Sequence, residues 1–138
     1  MYLDKTLLKD EKILVTAKLH WLCYIVPMTL IIFGLFTTRF GIGFVLLIAG
    51  IYGYLKNKTT EMVVTNKRVI AKYGIIGRDT TEIRTAKVES VRLKQSVFGR
   101  IFGYGDIVFT GTGNAITVFE KVLNPLHTKS QCENVIEK

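Results

Sequence analysis

The sequence predicts an α+β protein, a two-helix transmembrane hairpin followed by a small antiparallel β-barrel or sandwich with a C-terminal helix. Three observations carry this expectation. Trp21 to Thr38 is an uncharged, mostly apolar run of 18 residues, and beyond Arg39 a second run, Phe40 to Leu55, continues for 16 more. The tail from Lys56 to Lys138 holds short β-branched segments separated by turn residues. Asn124 and Pro125 then open a final segment suited to a helix. The expected division is an N-terminal cytoplasmic segment over 1–20, the hairpin over 21–55 with helices 21–38 and 40–55, and a cytoplasmic domain over 56–138.

The hairpin follows from length and charge. At about 1.5 Å per residue the runs make helices of roughly 27 and 24 Å, just short of a hydrocarbon core of roughly 30 Å. Arg39 at mid-bilayer would cost about 2.5 to 3.5 kcal/mol, so the chain is expected to turn between Thr37 and Gly41. Trp21, Tyr24, Tyr52 and Tyr54 cluster near the outer ends, at headgroup level, and Phe36 and Phe40 flank the connection. Gly34 on one run and Gly43, Ala49, Gly50 and Gly53 on the other allow close backbone approach, and Pro27 is a kink position. A helix pair buried in a soluble core is the competing reading, but 138 residues hold too little else to cover both helices. A signal peptide fits worse, because the apolar run starts late and no A-x-A pattern follows it. Lys5, Lys9, Lys12 and Lys18 precede the first run and Lys56 and Lys58 follow the second. The positive-inside bias therefore predicts a multi-pass protein of the inner (cytoplasmic) cell membrane with both termini cytoplasmic.

The 83 residues after the second run suffice for one small domain. Cys23 and Cys132 show no paired spacing, which fits a reducing compartment with no disulfide framework or zinc site. Of the net charge of +8, nearly all lies in Lys56 to Arg100, with eleven basic and four acidic residues. That excess reads either as a solvated sheet face or as an attraction to anionic headgroups, worth about 1 kcal/mol per cation near the surface. The candidate headgroup residues are Lys56, Lys58, Lys67, Arg68, Lys72 and Arg78.

Within the tail, Glu61 to Asn66 and Lys67 to Tyr73 read as a hairpin turning at Asn66. A turn at Gly74 to Gly77 leads to an exposed strand, Arg78 to Arg84, with Ile83 inward. The spacing of Val88, Val91 and Leu93 breaks alternation, so a bulge or helical turn is expected near Lys87 to Ser90. A glycine-rich loop, Phe98 to Gly105, precedes the clearest hairpin, Asp106 to Thr110 and Ala115 to Phe119 around Gly111 to Asn114. Asn124 is a plausible N-cap of the last helix. Before the membrane runs, Lys12 to Leu19 fits a strand or a helix equally.

The string TTEMVVTNKRVIAKYG (Thr59 to Gly74), then KVESV (Lys87 to Val91), then QSVFGRIFGYGDIVFTGTG (Gln95 to Gly113) resembles the bacterial pleckstrin-homology-like (PH) domain family. The resemblance implies the membrane-anchored type, with a short N-terminal segment, two transmembrane helices and a bent seven-stranded cytoplasmic sheet closed by a C-terminal helix. Because 14 residues follow Asn124, that closing helix is expected to be short.

No residue pattern points to catalysis. His127 and Cys132 are the tail's only histidine and cysteine, and no carboxylate pair has catalytic or metal-ligand spacing, so no catalytic residue, metal or cofactor is expected. His20, beside Trp21, reads as an interfacial packing residue. Gly99, Gly103 and Gly105 match neither phosphate-loop pattern. Phe98, Ile101, Phe102 and Tyr104 alternate with Arg100 and can pack inward, touch the bilayer or grip a partner; Phe98, Arg100, Phe102 and Tyr104 are the candidate partner residues. The basic residues could contact nucleic acid, but the membrane tether makes lipid the nearer anion and no stacking platform stands out. Two short helices without a buried ionisable residue offer no transport pathway. The reading is a non-catalytic membrane protein in contact with the lipid bilayer. Its PH-like domain binds another membrane protein or itself, in envelope maintenance or stress response, with anionic-headgroup binding as the alternative.

Overall fold

The computed structural model describes residues 3–77 and 79–138. In chain order the elements are β1 (Ile13–Ala17), α1 (Leu22–Thr37), α2 (Ile42–Lys58), β2 (Glu61–Thr65), β3 (Arg68–Tyr73), β4 (Asp79–Arg84), β5 (Val88–Lys94), α3 (Val97–Phe102), β6 (Tyr104–Gly111), β7 (Ile116–Leu123) and α4 (Pro125–Ile136). The architecture is α+β with two antiparallel sheets, one ordered β1-β2-β3-β4 and the other β5-β6-β7.

Alternation places Met62, Val64, Val69, Ala71 and Ile83 of the first sheet against Ile107, Phe109, Phe119 and Val122 of the second. Phe109 and Phe119 pack edge to face with centroids 4.8 Å apart. A second, smaller core lies on the other face of the first sheet, where Leu3 covers Val63 and Ile70. Burial on both faces explains why β2 reads as a continuous apolar run. Although α4 has only 12 residues, it packs on β1, β5 and β6, and its Cys132 is fully buried in the main core.

Two expectations are corrected. The segment before the apolar helices is not separate from the sheets: β1 pairs with β2 through Ile13↔Thr65, Val15↔Val64, Thr16↔Val63 and Ala17↔Met62. The sheet unit therefore begins before the apolar helices and not at Lys56, and the helix pair is an insertion between two neighbouring strands. The loop expected over Phe98 to Gly105 contains α3, which Ser96 caps by accepting the Gly99 N–H at 3.0 Å and Gly103 ends in the left-handed region. Asn124 stands at the N-cap of α4 as expected, immediately before Pro125, at φ +50 and without a side-chain cap hydrogen bond.

The chain reverses between α1 and α2 through a 3-10 turn at Thr38–Phe40 and Gly41 at φ +77. The two helices touch backbone to backbone. A Cβ on Gly43 would lie 2.4 Å from the Gly34 carbonyl oxygen, and one on Gly50 would lie 2.9 Å from that of Pro27. Among the described residues, one helix is long and apolar enough to cross a membrane, the stretch Leu22–Phe40 that includes the terminal turn. The companion α2 has 17 residues and carries Lys56 and Lys58 in its last turn.

Candidate functional site

The helix pair enters the domain at one end of both sheets. β2 starts beside the end of α2, and Thr59 Oγ1 lies 3.4 Å from the Gly74 carbonyl oxygen, so the turn joining β3 to β4 is at this end too. So are the start of β6 and the end of β7, where Tyr104 pairs with Leu123. The segment between β1 and α1 is clamped to β7: Leu123 N–H donates to the Lys18 carbonyl and His20 N–H to the Lys121 carbonyl, both at 2.8 Å. His20 is buried, its ring 5.4 Å from that of Tyr104 and 5.5 Å from that of Trp21, and its Nδ1 accepts the Leu22 N–H at 3.2 Å. This imidazole supplies the side-chain acceptor for the first turn of α1 and joins helix to sheet.

Between that junction and α3 lies a cleft of about 530 Å³. Leu22, Val26 and Pro27 of α1, Gly53 and Lys56 of α2, and Phe98 and Phe102 of α3 form its walls, with Tyr73, Tyr104, Glu120 and Lys121 of the sheets at its base. The volume falls within the range of ligand pockets. Burial pushes the Tyr73 phenol up to about 12, and its hydroxyl donates to the Val118 carbonyl, so Tyr73 itself adds no charge to the base. Gln95 ties α3 in place by donating to the carbonyls of Gly99 and Tyr104 at 3.2 and 3.1 Å.

Three of the four candidate partner residues, Phe98, Phe102 and Tyr104, line this cleft. Phe98 and Phe102 remain 67% and 47% exposed, which removes the inward-packing reading. Arg100 is exposed on α3. The candidate headgroup residues are scattered instead. Lys56 and Lys58 are exposed at the foot of α2, whereas Lys67 and Arg68 lie beyond the far end of β2, roughly 13 Å or more away by strand rise. Lys72 is buried, and Arg78 lies outside the described residues. Arg68 is occupied by carboxylates: its Nε is 3.0 Å from Glu11 Oε1 and its Nη1 2.6 Å from Glu82 Oε2. A cleft of about 470 Å³ beside it, lined by Leu8, Lys67, Arg68, Glu82 and Arg84, sits at this remote end.

Lys121 is the residue that the sequence reading missed. It stands at φ +48 in a bulge where the register slips between Gly105 and Ile107, and its N–H donates to Asp106 Oδ1 at 2.8 Å. A lysine in the left-handed region is strained, and bulges re-aim side chains. Among the described residues, no three of His, Cys, Asp and Glu gather as a metal-binding group.

No curated protein matches the chain, and no solved structure does. The family model described as the bacterial PH domain matches residues 14–138, which take in the helix pair as well as both sheets and α4, and the chain therefore belongs to that family.

Proposed function

We propose that this is a non-catalytic, two-span protein of the cytoplasmic membrane whose PH-like domain is an interaction module for a membrane-protein partner or a second copy of itself. The observation that carries the reading is the insertion of α1 and α2 between two paired strands with most of their surface left uncovered by the described residues. Only 11% of the apolar Leu22–Phe40 stretch is buried, and Phe33, Phe36, Phe40 and Ile48 stand at least two-thirds exposed. An apolar surface of that extent marks contact with lipid or another protein. Both helices join the same sheet, so both ends of the hairpin are on one side of the bilayer, and the lysines around them favour the cytoplasm.

Membership of the bacterial PH family supports a protein- or lipid-binding module. The route for a protein is the outer edge of β4, exposed at Asp79, Thr80, Thr81, Glu82 and Arg84 with only Ile83 turned in. A strand at a sheet edge offers its unpaired backbone groups to an added strand.

Two measurements test this. An impermeant maleimide on intact cells should label Arg39→Cys, and should label Lys138→Cys only after permeabilisation; recovery of the chain in the soluble fraction defeats the membrane reading. Crosslinking in native membranes should then give a reproducible neighbour or a dimer, weakened when Thr80 in β4, whose N–H faces away from β3, is replaced by proline. Monomer alone would defeat the interaction reading.

A further inference from the structure

We propose that the cleft between α3 and the foot of the helix pair binds one anionic phospholipid of the surrounding leaflet, its phosphate held by Lys56 and Lys121 and an acyl chain lying along Leu22, Val26 and Phe102. This rests on the membrane reading above.

The walls of the cleft differ in the way a phospholipid requires. The helix side is apolar, and Val26, itself 64% exposed, continues upward into the uncovered surface of α1. Val26 is four residues beyond the start of α1, roughly 6 Å along its axis, so Phe98 and Phe102 stand at the level of the first helical turns. In a spanning hairpin that level is the interface between headgroups and acyl chains. The sheet side carries Lys121 and Glu120, and α2 adds Lys56. Charge complementarity therefore selects an anion with an apolar tail over a neutral lipid, while Glu120 opposes the anion and limits the affinity.

The bulge supplies an independent reason. Regular pairing would keep residue 121 in the ladder at no backbone cost, yet the chain holds a lysine at φ +48 there and aligns it with an Asp106 contact and the His20 clamp. Strain of this kind, on the order of 1 to 3 kcal/mol, concentrates where a side chain has to be aimed. The sheet spends it at the one position that puts a cation into the cleft from below. Val97 and Ile101, 74% and 69% exposed on α3, extend the same apolar level outward from the cleft mouth.

The test uses Trp21, the only tryptophan, which directly precedes the cleft residue Leu22. Full-length protein is reconstituted in vesicles of equal parts phosphatidylcholine and phosphatidylglycerol, with bromine atoms on the acyl chains of one lipid or the other. The expected result is stronger quenching by the brominated phosphatidylglycerol, a preference of roughly fivefold or more that falls about fivefold in each of Lys56→Gln and Lys121→Gln. Lys58→Gln, adjacent but outside the cleft, should leave it unchanged, and Glu120→Gln should strengthen it. Equal quenching by both lipids overturns the site, as does a preference that Lys58→Gln lowers as much as Lys121→Gln does, since that is general surface attraction. Quenching by neither lipid overturns the membrane reading as well, so the two failures are separable.

Discussion

Glu11 shows how one side chain can fix the meaning of another. Its carboxylate is inaccessible to solvent, accepts the Leu8 N–H at 2.8 Å and the Thr65 hydroxyl at 2.7 Å, and receives the Arg68 Nε at 3.0 Å. Burial alone would raise its pKa, but the Arg68 guanidinium and the other two donors outweigh burial and hold the group below its ordinary value of 4.5. A carboxylate depressed by folding contributes stability that is complete above its unfolded pKa and lost as pH falls through the lower, folded one. Thermal stability should therefore decline as pH drops below about 4.5, and Glu11→Gln should flatten that decline. At neutral pH, Arg68→Ala should cost about 2 to 3 kcal/mol by leaving the buried carboxylate short of its charged donor, measured by denaturant unfolding. A headgroup-binding arginine would show no such cost. The sequence put Arg68 among the lipid-facing cations because its partner is 57 residues away, and charge counting sees no tertiary pairing. Lys121 was passed over for the converse reason: nothing in the local composition marks a bulge.

At the scale of elements, α1 carries a proline in its interior and α2 carries the remedy. Pro27 has no N–H to give the Cys23 carbonyl, and the Asn57 side-chain amide donates to that oxygen at 2.5 Å. A partly buried carbonyl left without a donor is costly, so this pair is a specific lock between the helices. Asn57→Leu should loosen the hairpin by about 1 to 2 kcal/mol, and Gly43→Leu should do worse, because a Cβ there would meet the Thr38 nitrogen at 2.3 Å. Steric-trap or denaturant unfolding of the full-length protein in bicelles reads both; an unchanged Gly43→Leu hairpin would contradict the close packing. The apolar runs, the turn near Arg39 and the small-residue contacts were visible in the sequence because each is a local pattern. α3 was not, since its six residues are too few for a periodic signal, although Ser96 before it and Gly103 after it are ordinary start and stop residues. Likewise, β1 could not be separated from a helix by periodicity alone and is decided by its pairing with β2.

For the whole molecule, the consequence of placing the hairpin inside the sheet is that the chain cannot be divided where its hydropathy changes. Val15 and Ala17 of β1 are in the main core with residues from six other elements, and β1 covers the edge of β2, whose Met62, Val63, Val64 and Thr65 are all fully buried. A fragment cut at Lys56 loses that strand, the Glu11 carboxylate beneath Arg68 and the Leu3 cover over Val63 and Ile70. The loss is on the order of 5 kcal/mol, comparable to the total stability of a small domain, and it bares an apolar strand edge open to intermolecular pairing. By contrast, a chain in which a short Gly-Ser linker replaces residues 22–58 retains both sheets, both cores and the His20 clamp on β7. Closing a loop between adjacent antiparallel strands costs little entropy. The expected outcome is a cooperative unfolding transition and a monomeric or discretely associated species for the linker chain, with aggregation of the 56–138 fragment, compared by circular dichroism and light scattering at matched concentration. If the fragment is as soluble and as stable as the linker chain, β1 is dispensable and the helix pair is a detachable anchor. If only the linker chain folds, the hairpin is held at both ends by one β-sheet, and any force or lipid contact on the helices acts directly on the strands beside the cleft.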